Sequence, residues 1–184
     1  MSTKNLYRIG GIAAFLSILL ILTNVFYLEP DGGVTQLGRF ALRTSTILFI
    51  PIAWSLHVLY GPVNRSLSLA SLILSIVGAI SFFMDWNSIL PDEIYSPLEF
   101  VFNVLDFFII PTLLFGILTF LYPQLGIPRI LGMIGIAYSI LWVIFYFSEE
   151  ITSSILNPLN LRLVWFAWTG AVLLFGKIQE SVKN

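Results

Sequence analysis

Apolar residues fall in blocks of about twenty along this chain, a length that crosses the hydrocarbon core of a bilayer as a helix. The blocks are Ile9–Leu28, Phe40–Leu59, Leu67–Trp86, Phe100–Leu121, Ile130–Phe147 and Leu163–Ile178. None alternates with the period of two that a half-buried strand shows. A backbone inside lipid must also satisfy its own N–H and C=O groups, which favours helix for each run. The intervening stretches EPDGG, YGPVN, LPDE, YPQLGIP and LNPLN are short and rich in turn residues. The pattern predicts an all-α fold: a polytopic membrane helix bundle of six transmembrane helices, forming one integral domain over residues 1–184.

The first block follows Lys4 and Arg8, as a signal peptide would. It is long enough to cross, however, and ends in Asn24-Val-Phe-Tyr-Leu-Glu with no small-residue cleavage site, so it is read as a retained span. Basic residues then set the direction. Lys4, Arg8, Arg65, Arg129, Lys177 and Lys183 fall on one side, against Arg39, Arg43 and Arg162 on the other. Both termini are therefore expected in the cytoplasm of a cell-membrane protein. The outer side collects Glu29, Asp31, Asp85, Asp92, Glu93, Glu99, Glu149 and Glu150, read as solvated loop charges.

Composition agrees with the pattern. Charged residues make up 10% of the chain, against about 25% in soluble domains, and mean hydropathy is +0.93. With no cysteine and one histidine, His57, thiolate and multi-histidine metal sites are excluded, and no metal or cofactor is expected. A net charge of −1 gives no reason to expect a nucleic-acid partner.

Spans one, three and five open alike, with Arg8-Ile-Gly-Gly-Ile-Ala-Ala, Arg65-Ser-Leu-Ser-Leu-Ala-Ser and Arg129-Ile-Leu-Gly-Met-Ile-Gly. Each is an arginine followed by small residues at helical spacing. Ser68, Ser71, Ser75 and Gly78 form such a stripe in span three. Small residues let helices approach closely, so the stripes are packing faces. They would equally suit contact between copies, leaving a homo-oligomer open. In spans two and four, Pro51 aligns with Pro111, Arg43 with Asn103 and Thr46 with Asp106. The expected architecture is three parallel helical hairpins. Both prolines are expected to kink their helices and free nearby carbonyls.

Asp106 is the anomaly of span four. Glu99, Asn103 and Asp106 share a helix face, with Asp106 about 10 Å inward of Glu99. An unpaired charge near mid-bilayer costs roughly 3 kcal/mol on insertion scales. Span two carries Arg39, Arg43, Thr46, Ile50, Trp54 and His57 at similar spacing, and Arg43 is within reach of Asp106. The two are expected to pair, with Arg162 and Asp85 nearby, in an outward-opening polar cleft between spans two, four and six. Such a pair either fixes helix register or marks a functional site. His57 reads as an ordinary interfacial histidine. The five tryptophans, Trp165 included, read mainly as an interfacial belt, although Trp165 and Trp168 flank the cleft and could stack a ligand.

Catalytic motifs are missing. G-x-S-x-G and H-E-x-x-H do not occur, and the one lysine within the span bounds, Lys177, sits at the cytoplasmic end of the sixth. Glu149-Glu150 is similar to the paired glutamates of intramembrane prenyl-protein proteases, but the arginine and further histidines of that motif are absent.

Arg8-Ile-Gly-Gly-Ile, the loop YGPVNRSLSLAS and the segment YPQLGIPRILGMIGIAYSI together resemble a family of small multi-span bacterial and archaeal membrane proteins, domain of unknown function 4386. The matching features are Pro62-Val-Asn64 before the third span and Pro128-Arg129-Ile-Leu-Gly132 opening a late one. The resemblance covers nearly the whole chain. It implies a topology, and no catalytic or binding residue.

The leading expectation is a non-catalytic protein of the lipid bilayer. It would bind or move a small anionic or zwitterionic ligand, or a lipid head group, at Arg43, Asn103, Asp106, Arg162, Glu99, Arg39 and Trp165. The alternatives are an accessory protein whose ion pair only sets packing and, more weakly, a lipid-acting enzyme.

Overall fold

The computed structural model describes residues 2–28, 35–84, 89–147, 158–176 and 178, and all the secondary structure in them is helical. Helix α1 spans Thr3–Thr23 and continues as a π-helical turn, Asn24–Leu28. Then come α2 (Gln36–Ile47), α3 (Phe49–Tyr60), α4 (Arg65–Met84), α5 (Asp92–Asp106), α6 (Ile109–Leu121), α7 (Arg129–Phe147) and α8 (Pro158–Phe175). Pairs α2–α3 and α5–α6 are each one long helix with an interruption. Among the described residues, five helices are long and apolar enough to cross a membrane: Thr3–Phe26, Gln36–Tyr60, Arg65–Met84, Asp92–Leu121 and Arg129–Phe147. A sixth apolar helix, Asn160–Phe175, is shorter.

Helices start before the apolar runs because polar caps extend them. The Ser2 hydroxyl accepts from the Asn5 amide and begins α1 well ahead of Ile9. Thr35 does the same for Gly38 at the start of α2. LPDE is no connection throughout: Pro91 precedes the helix, and Asp92 and Glu93 lie in its first turn, where carboxylates complement the helix dipole. Residues 156–160, LNPLN, likewise contribute Pro158 to the start of α8, which ends at Phe175 rather than Ile178. Trp86 and EPDGG lie outside the described residues.

Neighbouring segments pack in sequence order and close into a ring, with α8 returning to α1. Contacts fix their antiparallel sense. Ser17 donates to the Ser45 carbonyl while Ser55 donates to that of Leu6. Gly116 faces Gly132, whereas Ser139 bonds Ile109. Small residues set the close approaches. Ser68, Ser71, Ser75 and Gly78 are all buried, as their stripe predicted. A Cβ on Gly132 would lie 2.6 Å from the Gly116 carbonyl, and one on Gly11 would lie 3.0 Å from that of Gly170.

The middle of the ring is filled by aromatic residues from α3, the α5–α6 junction and α8. Phe49 packs in tilted contacts on Phe108 at 4.3 Å and on Phe166 at 5.6 Å, with Trp165 at 6.2 Å. All four are essentially inaccessible. Gly78 of α4 makes room for this layer, since a Cβ there would collide with the Leu105 carbonyl and lie 3.2 Å from the Phe108 ring. Gly78→Ala should therefore destabilise the protein by about 1–3 kcal/mol, the usual cost of overpacking a core. A lowered Tm in detergent checks this, and an unchanged Tm would mean the layer can shift.

Candidate functional site

Pro111 shapes the site. It lacks the N–H that would bond the Phe107 carbonyl, and its ring crowds that turn. The chain breaks there. Phe107 and Phe108 close α5 through bonds to the Asn103 and Leu105 carbonyls, both 3.0 Å, and Phe108 takes φ 56° and ψ 34°. That left-handed conformation costs a residue with a side chain about 1–3 kcal/mol and persists only where packing imposes it. Here the contact with Phe49 and the cradle at Gly78 impose it. Helix α7 supplies the missing donor: the Tyr138 hydroxyl donates to the Phe107 carbonyl at 2.7 Å, and the Ser139 hydroxyl adds a bond to that of Ile109 at 2.9 Å.

A milder break at Leu48, three residues before Pro51, separates α2 from α3. Thr46 there donates to the Arg43 carbonyl at 2.7 Å. Across the break, Thr46 is buried while Trp54 is 52% exposed. The polar face read along span two thus does not continue from Thr46 to Trp54. His57, further along, is half-buried and bonds Ser68 Oγ through Nδ1 at 3.1 Å.

The expected site residues differ in exposure. Arg39 and Glu99 are exposed. Arg43, Asn103 and Asp106 are half-buried, on α2 and α5. The Arg43 guanidinium lies 5.9 Å from the Phe83 ring, and both Arg43 and Asp106 engage further groups. Arg162 is the most enclosed charge among them, at 8% exposure. Its guanidinium lies 5.7 Å from the Phe108 ring and 5.3 Å from the Phe166 ring, and Nη2 is buried with no hydrogen-bond partner among the described residues. In helical register it is one turn from the aromatic layer, toward the end of the bundle where α2, α5 and α8 begin.

Trp165 corrects the belt reading. It is 2% exposed at the centre of the bundle, its ring taken by Phe49 and Phe166 and its Nε1 without a hydrogen-bond partner among the described residues. Gly135 lets the indole in: a Cβ there would lie 2.8 Å from Nε1. Trp142 is also buried, whereas Trp54 and Trp168 are exposed. Sequence reasoning missed Phe108, Tyr138 and Thr169. The signal that could have found Tyr138 is the unmatched carbonyl that Pro111 must leave.

An apolar groove of about 430 Å³ lies between α5, α6 and α7, lined by residues such as Val104, Ile110, Leu113, Ile140 and Val143. Its one hydroxyl, on Ser139, already bonds two carbonyls. The groove suits hydrocarbon and offers nothing to a charge. No group of three or more His, Cys, Asp or Glu side chains among the described residues is arranged to hold a metal ion.

No protein-family model, curated protein or solved structure matches the chain, so the family resemblance has no support from them.

Tyr138→Phe removes only the hydroxyl that serves the Phe107 carbonyl. It should cost about 1 kcal/mol, the usual net worth of one such bond. A Tm equal to the parent's would show that the carbonyl finds another donor.

Proposed function

We propose that this is a six-span protein of the cell membrane, with both termini in the cytoplasm, that binds an anionic or zwitterionic small molecule or lipid head group. The site is an outward-opening cleft lined by Arg43, Asn103, Asp106 and Arg162, with Arg39 and Glu99 at its rim. One observation carries the reading: Arg162 is a buried cation whose Nη2 lacks a hydrogen-bond partner among the described residues, held above an aromatic floor. A charged donor left unmatched inside a membrane protein costs stability, and residues kept at such a cost concentrate at functional sites. The hairpin repeat is part of the same proposal. It is supported by the breaks at Leu48 and Phe108, which fall at equivalent positions when Pro51 is aligned with Pro111.

A second reading has its own observation. The two ring contacts of Arg162 are worth about 1–2 kcal/mol when desolvated. An accessory protein could use Arg162 only to lock α8 against the α5–α6 junction. The two readings differ for Arg162→Gln in detergent without added anions. A ligand-binding arginine predicts a variant at least as stable as the parent, which no longer gains stability when anionic ligands are titrated in. A packing arginine predicts a loss of about 1–2 kcal/mol and no stabilisation of either protein by anions.

The proposed pairing of Arg43 with Asp106 is tested separately by a double-mutant cycle of Arg43→Gln and Asp106→Asn. Direct pairing predicts a coupling of about 1 kcal/mol or more, with the double variant milder than the sum of the singles. Additive effects would place their partners elsewhere.

A further inference from the structure

Arg162 also carries information about the chemistry of its ligand. Its ring contacts to Phe108 and Phe166 use the π faces of those rings and consume no N–H group. The donors lie in the guanidinium plane, and Nη2 among them is buried with no hydrogen-bond partner among the described residues. A planar fork with a free edge fits two oxygens of one carboxylate or phosphate side by side, a geometry a spherical anion cannot use. The same face of α8 continues with two more buried groups that have no partner among the described residues, Trp165 Nε1 and Thr169 Oγ1, three and seven residues on. Guanidinium and indole can only donate, and the hydroxyl is free to donate as well. This seam therefore solvates oxygen anions and repels cations.

We infer that the site takes an oxyanion, a carboxylate or a phosphate group, gripped by the guanidinium edge of Arg162, with the donors of Trp165 and Thr169 extending the seam inward. The inference rests on the ligand-binding reading above and adds the class of ligand. A phosphate could come from solution or from a lipid head group; the guanidinium edge recognises the same group in both.

The test uses the full chain, in detergent and in nanodiscs. Tm is followed during titration with glycerol 3-phosphate, with acetate and with chloride at matched ionic strength. It is also compared between phosphatidylglycerol and phosphatidylcholine nanodiscs. The variants are Arg162→Lys, which keeps the charge and loses the fork, and Thr169→Val, which keeps the shape and loses the hydroxyl. Stabilisation by an oxyanion and not by chloride, weakened roughly tenfold or more in Arg162→Lys, is the expected result. Stabilisation seen only with the soluble anions assigns the source to solution. A gain seen only in phosphatidylglycerol, and lost in Arg162→Lys, assigns it to lipid; both outcomes support the inference. Thr169→Val should be as stable as the parent without ligand and should bind more weakly. Chloride acting as well as the oxyanions, or Arg162→Lys binding like the parent, would overturn the oxyanion inference and leave the ligand-binding reading standing. No response to any probe in any setting would overturn both.

Discussion

A proline inside a membrane helix leaves a carbonyl that lipid cannot hydrate, and much of this structure depends on how that carbonyl is met. Pro111 strands the carbonyl of Phe107, and Tyr138 supplies the missing donor from the neighbouring helix. That bond ties α7 to the junction of α5 and α6. With the junction fixed, Phe108 can hold its left-handed backbone and project into the middle of the ring. Phe49 from α3, and Trp165 and Phe166 from α8, then pack with it as one layer.

The layer needs space, and glycine and serine provide it. Lipid gives helices no hydrophobic reason to associate, so contact area and polar bonds decide the arrangement. Gly78 admits the α5–α6 junction, Gly135 admits Trp165, and Gly116 and Gly132 admit each other. Serines on the same faces return their hydroxyls to backbone carbonyls, as Ser71 and Ser75 do on α4, so they add no unmatched polarity. Against that background of satisfied hydroxyls, the donors of Arg162, Trp165 and Thr169 on one helix stand apart, without partners among the described residues.

The all-helical fold and its long apolar segments were legible because lipid leaves few alternatives: run length and turn residues nearly determine them. The stripe from Ser68 to Gly78 was legible for the same reason. Helix starts were less so, since Ser2 and Thr35 act through capping, which hydropathy does not register. Trp165 was misread because a tryptophan near the end of an apolar run resembles a belt residue. Only the position of Gly135, across a helix interface, turns it inward. The polar face of span two was drawn as continuous because a period of 3.6 was carried through Pro51, whereas the helix is interrupted at Leu48. Arg162 was named among the candidates, but its enclosure by Phe108 and Phe166 depends on a backbone conformation that no local pattern announces.

The aromatic layer also bears on what a ligand could do after binding. Beyond it, toward the other end of the bundle, the centre holds Leu56, Leu59, Phe115 and Leu118, all buried. Tyr60 and Thr119 are buried there too, hydrogen-bonded to each other at 2.8 Å. A hydroxyl pair bonded to itself and to the Phe115 carbonyl offers no charge to a passing ion. Moving an anion through this half would mean separating four packed rings and desolvating the anion among leucines, a cost of several kcal/mol per unmatched charge. On α8 a further polar group reaches past the rings: Thr169 lies a full turn beyond Trp165, its hydroxyl without a partner among the described residues. The donor seam thus runs from Arg162 to Thr169 and meets apolar packing. On the proposed reading a ligand would be held at one end of the bundle, and the same aromatic residues that position Arg162 would close the way through.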